Sequence, residues 1–397
     1  MISRCKRKVD CCLRQLKNYL KAYIDYGRLC YDSHKNRYNT TQWSYVVFDH
    51  NMGGGATQFL NDRLDNVFEF RQQTIVIRYL NYIKGYKIEF IKDRSLYGYI
   101  VPSYKKINKL LRKYAYKKIF VNELFEYENV YRWLELLKTL KAEKGCELVY
   151  LLHDYYCICP MASLALNSEK YCELKYNCDQ CLKNSENYDW DLYGNIYDWR
   201  EKWKNFLEQC TQIVAFSEDT QRRVQSIYGD ISIDIIPHKI YKELRKVEIK
   251  KKGQQVLNVG ILGSLSRIKG VYIVRQMIEY AQLRKLPIKF ILVGEIYGDA
   301  ITESAKFSKT GKYKREELPE IIEKNEIDIV FVASVIPETF SYTTHEAIMM
   351  NIPVICFDLG AQAEYVKQYK KGLIIPKIDY QVAVESLLAY WEEIKNG

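Results

Sequence analysis

The sequence has no run of about eighteen apolar residues, the length that a helix needs to cross a lipid bilayer. We therefore expect no transmembrane helix. The opening letters MISRCKRKVDCC carry charges with no apolar stretch behind them, which argues against a secretory signal. The chain has 12 cysteines, and in proteins without such a signal thiols stay reduced or bind metal. These absences predict a cytoplasmic protein.

The composition does not indicate disorder. Apolar side chains make up 48% of the 397 residues and aromatic ones 14%, which is typical of a globular chain with enough material for two sizeable cores. The formal net charge is +11, and residues 1–40 hold ten Lys or Arg against three Asp, a net +7. The positive charge is therefore concentrated at one end of the chain.

This basic N-terminal extension, residues 1–40, has a helical pattern. Apolar residues recur at helical spacing among basic ones: Leu13, Leu16, Leu20 and Ile24, with Arg14, Lys17, Lys21 and Arg28. A basic amphipathic helix can lie on anionic lipid, which would give the protein a peripheral contact with the inner face of a membrane. The alternatives are a helix packed on the domain with a solvated basic face, and contact with nucleic acid, for which one basic helix is weak support.

Apolar runs alternate with amphipathic stretches over residues 41–238. YVVFD, QTIVIRYL, KIEFI, KIFVNEL and ELVYLLHD are typical of strands, whereas GGGATQFLNDRLDNVF and WREKWKNFLEQC are typical of helices. Such alternation predicts parallel strands joined by crossover helices. Residues 41–238 therefore form one doubly wound α/β domain, interrupted by a cysteine-rich insert at 157–181.

A second domain follows the charged segment KIYKELRKVEIKKK, which we assign as a linker at 239–252. The alternation restarts with QVLNVGIL and continues to VICFDLG, which predicts another doubly wound domain over 253–375. We expect the remaining residues, 376–397, to form a helix that packs back on the N-terminal domain. Ligands of such sheets bind outside the carboxyl ends of the strands, so two facing domains would enclose a ligand between them.

The stretch PETFSYTTHEAIMM places hydroxyl residues where a helix must begin, with Glu338 just outside that helix and Glu346 one turn inside it. Ser and Thr are favoured at helix starts, so a capped helix is one interpretation. The other is a site for a phosphorylated ligand, because the unpaired N–H groups and the dipole of a helix start attract anions.

Two motifs together carry a family resemblance. VGILGSLSRIKG followed by PETFSYTTHEAI resembles the donor site of glycosyltransferase family 4, which are retaining enzymes with the GT-B fold of two facing Rossmann-like domains. The resemblance covers roughly residues 41–375 and is most specific over 259–372. IIPHK, TGKY and FDLGAQAEYVKQYKKG are similar to a bacterial branch that assembles polysaccharides. The family resemblance implies that a nucleotide-sugar donor binds in the C-terminal domain and a glycan or lipid-linked acceptor in the N-terminal one.

The resemblance implies a role for each polar group of the donor site. Glu346 would accept hydrogen bonds from the ribose hydroxyls, and Glu338 would reach the hydroxyls of the transferred sugar. The diphosphate would bind, without a metal, to N–H groups at the helix start: Phe340, Ser341, Tyr342 and Thr343. The developing charge on the leaving diphosphate is the main electrostatic demand of such a reaction.

Lys269, in GSLSRIKG, stands at the position of the phosphate-binding lysine of the family. The family commonly has an arginine directly after the first glycine, Gly263, and this chain has Ser264 there. Arg267 is the nearest candidate to substitute for that arginine. Exposed basic residues in loops are usually solvated, so this motif alone is weak.

In the first domain, HNMGGGATQF resembles the glycine turn of the family after the first strand. Gly54 and Gly55 would let the backbone approach donor phosphate or acceptor, and a simple tight turn is the alternative. His153, at the end of the YLLHD strand, matches the histidine that contacts the donor sugar, and Asp154 could orient it or cap the next segment. Two further histidines at strand ends, His50 and His238, are candidates for the cleft. His34 and His345 are expected at the surface.

No side chain stands out as a covalent nucleophile. Retaining enzymes of the family are thought to react on one face, with the leaving phosphate oxygen taking the proton of the acceptor, which asks for positioning and charge stabilisation rather than a cofactor. DWD, at 189–191, matches the metal-binding motif of the other glycosyltransferase fold but lacks the strand that should precede it. We expect catalysis without a metal, with His153, Lys269 and Glu338 as the catalytic residues.

The cysteine-rich insert contains enough thiols for a tetrahedral structural zinc site. We predict four ligands: Cys159, Cys172, Cys178 and Cys181, with Cys157 left over. A similar cysteine pattern in the polysaccharide branch supports this choice. Free thiols in a loop and an iron–sulfur centre are the alternatives.

Two other classes of function compete with a glycosyltransferase. One is a non-catalytic GT-B-like protein that binds a nucleotide or glycan. The presence of Lys269, Glu338 and Glu346 together argues against this alternative. The other is a basic, zinc-containing nucleic-acid binder, but the two-domain region has no basic stripe, so we expect no nucleic-acid partner.

Overall fold

The computed structural model describes residues 17–18, 20–32, 42–67, 70–71, 73–93, 95–166, 169–175, 177–185, 188–249, 255–298 and 301–396. The chain divides into two compact units. Unit 1 comprises Met1–Pro160, Asn187–Ala215 and Tyr228–Ile236, and unit 2 comprises Met161–Glu186, Phe216–Ile227 and Pro237–Gly397. Most of the cysteine-rich insert thus belongs to unit 2, whereas the sequence pattern assigned it to the first domain.

The strands, numbered along the chain, are β1 (Gln42–Asp49), β2 (Gln73–Leu80), β3 (Gly85–Lys92), β4 (Ser95–Val101), β5 (Ala115–Val121), β6 (Glu147–Leu151), β7 (Ala165–Leu166), β8 (Lys170–Tyr171), β9 (Gln212–Ala215), β10 (Asp234–Ile235), β11 (Leu257–Leu262), β12 (Ile288–Val293), β13 (Phe307–Lys309), β14 (Ile329–Val332), β15 (Val354–Phe357) and β16 (Gly372–Ile375). β7 and β8 pair as a short antiparallel ribbon within the insert.

The helices are α1 (Gly54–Asn66), α2 (Tyr104–Leu111), α3 (Val130–Lys144), α4 (Cys178–Lys183), α5 (Trp190–Tyr193), α6 (Ile196–Leu207), α7 (Glu218–Tyr228), α8 (Val271–Leu283), α9 (Leu318–Lys324), α10 (Tyr342–Met349), α11 (Gly360–Gln368) and α12 (Tyr380–Asn396). Their sequence signals are local. α6, for example, begins with a capping box in which Asn195 and Asp198 bond to each other's backbone N–H.

The sheet of unit 1 has the strand order β10-β9-β6-β5-β1-β2-β3-β4. From β10 to β2 the neighbours are parallel, as the alternation of strands and helices predicts. β3 and β4 extend the sheet in antiparallel fashion, which the sequence pattern did not predict. β4 has four exposed residues, 95–98, so it lacks the apolar run that marks a buried strand.

The sheet of unit 2 is parallel throughout the described residues, in the order β13-β12-β11-β14-β15-β16. Its four central strands, β11, β12, β14 and β15, are buried on both faces. Along β12, Phe290 and Leu292 join the core that contains α8 and α12, and Ile291 and Val293 join the core that contains α9, α10 and α11. Such double coverage by helices is the doubly wound arrangement predicted from the sequence.

The final helix, α12, packs into unit 2. Ala383, Val384, Leu387 and Trp391 are buried in the same core as residues of α8. The apolar face of this helix is thus buried within unit 2, and the expectation that the helix packs back on the N-terminal domain stays a prediction.

The described part of the N-terminal extension is helical at residues 20–32. Ala22 and Leu29 are fully buried, whereas Leu20 and Ile24 are 56% and 65% exposed. The face that packs is therefore not the one predicted from Leu20 and Ile24, and Leu13, Leu16 and His34 lie outside the described residues. Within the parts of the chain that the structure describes, no helix combines the length and apolar character needed to span a membrane.

Candidate functional site

The loop that follows β11 carries Lys269 and packs directly on the end of β14. Gly270 has a left-handed φ of +88°, and a Cβ there would lie 2.1 Å from the carbonyl oxygen of Ala333, so only glycine fits. The N–H of Val335 donates to the carbonyl of Ile268 at 3.2 Å. These contacts hold Lys269 beside the segment that leads from β14 to α10.

Lys269 and Glu338 form an ion pair in that segment. Nζ of Lys269 lies 2.7 Å from Oε1 of Glu338, and the side chains are 41% and 8% exposed. The backbone of Glu338 is held on both sides, because its N–H donates to Oε1 of Gln362 at 3.1 Å and its carbonyl accepts from the N–H of Ala361 at 2.9 Å. The structure thus brings together two of the three residues predicted to be catalytic.

The helix start predicted to bind phosphate is α10, with Ser341 at its N-cap. The Ser341 side chain makes no capping bond to the helix backbone, and its Oγ instead accepts from Oγ1 of Thr344 at 2.8 Å. The first N–H groups of a helix have no intrahelical partner. Because Ser341 does not cap them through its side chain, the capped-helix interpretation is wrong in this respect, and an anion is a suitable partner.

Glu346 lies one turn into α10 and is buried against Arg315. Nε of Arg315 is 3.0 Å from Oε1 of Glu346, and Nη1 of Arg315 donates to the carbonyl of Lys242 at 2.8 Å. Burial raises the pKa of Glu346 to about 7, although the Arg315 guanidinium acts in the opposite direction. The sequence pattern missed Arg315, which is 31 residues upstream in a charged stretch that shows no periodicity.

His345 was expected at the surface, but it is half-buried among aromatic rings. Its Nδ1 lies 3.0 Å from the carbonyl oxygen of Ser341, and its ring centroid lies 4.4 Å from that of Phe340 and 4.2 Å from that of Tyr365. Burial lowers the pKa of His345. The prediction was wrong because the ring that covers His345 from outside its own segment, Tyr365, lies on α11 and comes close only in the folded chain.

His238 also packs against Phe340, with ring centroids 4.0 Å apart, and only 8% of it is exposed. The start of α10 is therefore backed by aromatic rings within unit 2. Whether His238 contacts a ligand, as its strand-end position suggested, stays a prediction.

Arg267 and Gly263 are the other predicted donor-site residues of the β11–α8 loop. The N–H of Gly263 donates to the carbonyl of Val293 at 2.8 Å, at the carboxyl end of β11. The guanidinium of Arg267 lies 3.9 Å from a carboxylate oxygen of Glu169 and 5.7 Å from the ring centroid of Tyr272. The insert thus contacts the loop that carries Lys269.

In unit 1, His153 lies at the end of β6 and is held by Asn122. Its Nε2 is 3.0 Å from Oδ1 of Asn122, whose Nδ2 donates to Oδ1 of Asp49 at 2.8 Å and to the carbonyl of Ala56 at 3.1 Å. Both amide hydrogens are thus used, so Oδ1 must accept and Nε2 of His153 must carry the proton. Burial lowers the pKa of His153 to about 3, which keeps the ring neutral.

Asp49 connects this histidine to a buried ionic chain. Oδ2 of Asp49 accepts from Nε of Arg78 at 3.1 Å, and Arg78 also bonds to Glu89. Asp49, Arg78 and Glu89 are all less than 10% exposed. The sequence pattern missed this chain, although Arg78 within the otherwise apolar QTIVIRYL was a signal, because a charge inside a buried strand needs a partner.

Asp154 caps the segment after β6, which was one of its two predicted roles. Its Oδ1 accepts from the N–H of Tyr156 at 2.8 Å. Burial raises the pKa of Asp154 to about 7, and burial together with Asp154 raises the pKa of Glu123, the neighbouring carboxyl group. Two buried acids this close cannot both ionise readily.

The glycine turn after β1 leads directly into α1. Gly54 and Gly55 are the first residues of this helix and both are exposed. Nδ1 of His50 lies 3.9 Å from Oδ1 of Asp49. His50 and the two glycines follow the carboxyl end of β1, Asn122 follows that of β5, and His153 follows that of β6. These three strands are neighbours in the sheet.

Comparisons with known proteins show which family model part of the chain matches and which solved structures share its fold. Residues 256–393 match the family model described as glycosyl transferases group 1. Lys269, Glu338 and Glu346 all lie inside this range. No curated protein matches the chain in sequence.

Several solved structures have a similar fold. Anabaena HepE in complex with UDP-glucose has a TM-score of 0.57 and 16% identity over 88% of this chain and 90% of its own. Sucrose-phosphate synthase from Thermosynechococcus elongatus has a TM-score of 0.52 and 13% identity over 89% and 92%. The starch synthase IV catalytic domain from Arabidopsis thaliana, bound to ADP and acarbose, has a TM-score of 0.52 and 11% identity over 89% and 94%. The fold is GT-B.

Within this GT-B chain, the DWD sequence is structural. Asp189 caps α5, because its Oδ1 accepts from the N–H of Leu192 at 3.0 Å. Among the described residues, no strand directly precedes it. That it binds no metal stays a prediction.

The predicted zinc ligands are distributed over both units of the GT-B chain. Cys159 lies in unit 1, and Cys172, Cys178 and Cys181 lie in unit 2. Burial, together with the nearby Cys172 and Cys178, raises the pKa of Cys181. Among the described residues, which include all four cysteines, no group of three or more His, Cys, Asp or Glu is arranged to hold a metal ion. The zinc site stays a prediction.

Proposed function

We propose that this protein is a retaining glycosyltransferase of family 4 that moves a sugar from a nucleotide-sugar donor to a glycan or lipid-linked glycan in polysaccharide biosynthesis. The observation that carries the proposal is the Lys269–Glu338 ion pair beside the start of α10. It places a cation and a carboxylate next to a helix end that attracts anions. That HepE, a protein of similar fold, was solved with UDP-glucose supports a nucleotide-sugar donor.

The proposed reaction breaks the bond between the sugar anomeric carbon and the diphosphate oxygen. The acceptor hydroxyl oxygen forms the new bond on the same face, and its proton passes to the leaving phosphate oxygen. Lys269 and the N–H groups of residues 340–343 would stabilise the charge that develops on the diphosphate. In this proposal catalysis needs no metal.

The carboxylates would bind the two ends of the donor. Glu338, already at the cation, would orient the hydroxyls of the transferred sugar. Glu346 would bind the ribose, because a carboxylate has more acceptor capacity than its single Arg315 bond uses. His153 is neutral and protonated at Nε2, so its Nδ1 is an acceptor, through which we propose that it contacts a sugar hydroxyl.

We further propose that the protein acts in the cytoplasm and touches the membrane at its periphery. The support is the exposure of Leu20 and Ile24 on a helix that also carries Lys17, Lys21 and Arg28. A structural zinc ion in the insert remains part of the proposal and is testable by metal analysis of the purified protein.

The proposal is tested by a thermal-shift screen over nucleotide-sugars, followed by assays of donor hydrolysis with and without EDTA. We expect one donor to raise the melting temperature and to be hydrolysed slowly in EDTA. Binding without turnover would favour the alternative, a non-catalytic GT-B-like protein that binds a nucleotide or glycan. Loss of turnover in EDTA, restored by Mg²⁺, would contradict the metal-free mechanism.

A further inference from the structure

A cavity of about 470 Å³ lies at the carboxyl edge of the sheet of unit 1. Its described lining comes from the last residues of β2 and from the segments that follow β1, β2 and β5, which are neighbours in the sheet: Asn51, Met52, Tyr79, Asn81, Tyr82 and Glu126. In parallel sheets this edge is where ligands bind. His153 follows β6, the next strand, so the cavity and the histidine share one edge of one unit.

A second cavity, of about 370 Å³, shares Asn51 and Tyr82 with the first. Its other walls include Lys87 and Tyr99 from the antiparallel extension and Asp25 from the helical residues 20–32. The two cavities are therefore adjacent, with Asn51 and Tyr82 between them, and are called the groove below. The extension and the N-terminal helix both help to build it.

The chemistry of the groove suits a sugar. Tyr82 is 59% exposed and Met52 is 56% exposed, so apolar surface is available to the carbon face of a sugar ring. Asn51, Asn81 and Glu126 offer amide and carboxylate groups to its hydroxyls. Burial, and then Glu128 and Glu126, raise the pKa of Tyr79 to about 12, so its hydroxyl stays protonated.

The charges argue against a phosphorylated ligand. Among the described residues that line the first cavity, none is basic and one, Glu126, is acidic. The described lining of the second cavity contains Lys87, which is paired with Glu89 at 2.6 Å, and Asp25, which is paired with Arg28 at 3.4 Å. Glu126 would repel a phosphate and the other two charges are offset by their partners, whereas an uncharged pyranose would meet no such repulsion.

We propose that this groove binds two adjacent uncharged sugar units of the acceptor glycan, with the Tyr82 ring between them. The inference rests on the proposed function, because it takes the acceptor to be a glycan. It adds which part of unit 1 reads that glycan and which kind of sugar it selects.

The test compares Tyr82→Ala with the wild type and with Tyr197→Ala. Tyr197 is a matched control because it is 74% exposed on α6 and lines neither cavity. Each protein is applied to an array of neutral and anionic oligosaccharides. We expect the wild type and Tyr197→Ala to capture neutral oligosaccharides, and Tyr82→Ala to bind them about tenfold more weakly, as expected for the loss of one aromatic stack. Asn81→Ala, which leaves the ring in place, should also weaken capture.

Equal capture by Tyr82→Ala and wild type, a preference for anionic oligosaccharides, or no capture by the wild type would each overturn the proposal. Hydrolysis of the nucleotide-sugar separates this result from the proposed function. Tyr82→Ala should keep it, because the described lining of the groove includes none of the residues proposed to bind the donor. A wild type that captures glycans through Tyr82 but hydrolyses no nucleotide-sugar would refute the proposed function and leave the groove intact.

Discussion

Nζ of Lys269 lies 2.7 Å from Oε1 of Glu338, so the cation and the carboxylate that the family resemblance gave separate tasks are already paired. In the proposed reaction, a donor phosphate would compete with Glu338 for this ammonium group, and the freed carboxylate would then be available to the sugar hydroxyls. The proposed roles therefore predict that binding of the diphosphate and orientation of the sugar are coupled through this pair.

Lys269→Ala should lower turnover by about 10²–10³-fold, the range for the loss of one transition-state stabiliser. Initial rates of nucleotide-sugar hydrolysis measure this effect. Lys312→Ala, at a lysine that is 78% exposed in the same unit, should leave the rate unchanged. A fall of less than about threefold would mean that the N–H groups of α10 stabilise the diphosphate without Lys269.

Glu346→Ala should weaken the binding of a nucleoside diphosphate by about 1.5–3 kcal/mol, the range for hydrogen bonds to a charged group. Calorimetry with UDP and other nucleoside diphosphates provides the measurement. Glu338→Ala should bind them at least as tightly as the wild type does, because no carboxylate then competes for Lys269, and should lose sugar transfer, since the proposed partner of Glu338 is the sugar. Glu279→Ala, at an exposed glutamate, serves as the control and should leave the affinity for nucleoside diphosphates unchanged. If Glu346→Ala kept full affinity, Glu346 would not contact the ribose.

The buried Glu346 should also make stability depend on pH. Its pKa is raised from 4.5 to about 7 in the folded protein, so the native state binds the proton more tightly than the unfolded chain. This stabilisation is complete below pH 4.5 and is lost as the pH rises to about 7. The free energy of unfolding of the wild type, relative to Glu346→Gln, should therefore fall over that interval. Urea titrations at several pH values measure it, and a pH-independent difference would contradict the prediction.

Asn122→Ala should release the tautomer of His153, because it removes the acceptor that holds the proton on Nε2. In ¹⁵N-labelled wild type, long-range ¹H–¹⁵N spectra should show His153 neutral and protonated at Nε2, with no titration near pH 6.5. Asn122→Ala should show both tautomers and slower transfer, whereas Asn66→Ala, at an exposed asparagine, should show neither change. A single unchanged tautomer in Asn122→Ala would mean that another group orients the ring.

Leu20→Ser combined with Ile24→Ser should abolish sedimentation with anionic liposomes and leave hydrolysis of the nucleotide-sugar intact. Each exposed apolar side chain contributes about 1.5–3 kcal/mol when it is buried, and each nearby basic residue about 1 kcal/mol. Leu283→Ser is the matched control, since Leu283 is 80% exposed on α8 in unit 2. Equal sedimentation of all three proteins would leave residues 20–32 without a membrane role.

The sequence predicted the parallel parts of both sheets well because buried strands such as β1 and β12 are short, nearly continuous apolar runs. It failed at β3 and β4 for a physical reason. The apolar run of β3 does not reveal the direction of its partner, and β4 has an exposed half without an apolar signal. Direction and pairing depend on contacts that a local pattern does not contain.

The candidate site shows the same division. Glu338, Glu346 and Lys269 could be named from the sequence because they stand at fixed places around a loop and a helix start. Their partners could not, since the link between Arg315 and Glu346 exists only after the chain has folded. The aromatic surroundings of His345 were missed for the same reason.

The backbone of Glu338 is fixed by the first turn of α11, more than a helix away in the sequence. Gly360 has a φ of +67°, and a Cβ at that position would lie 2.5 Å from the nitrogen of Glu338. The carboxylate would move if this glycine or Gln362 changed, although neither residue is part of the motif. A library of variants designed to change sugar specificity can therefore randomise residues around Glu338, whereas Gly360 and Gln362 should be kept constant.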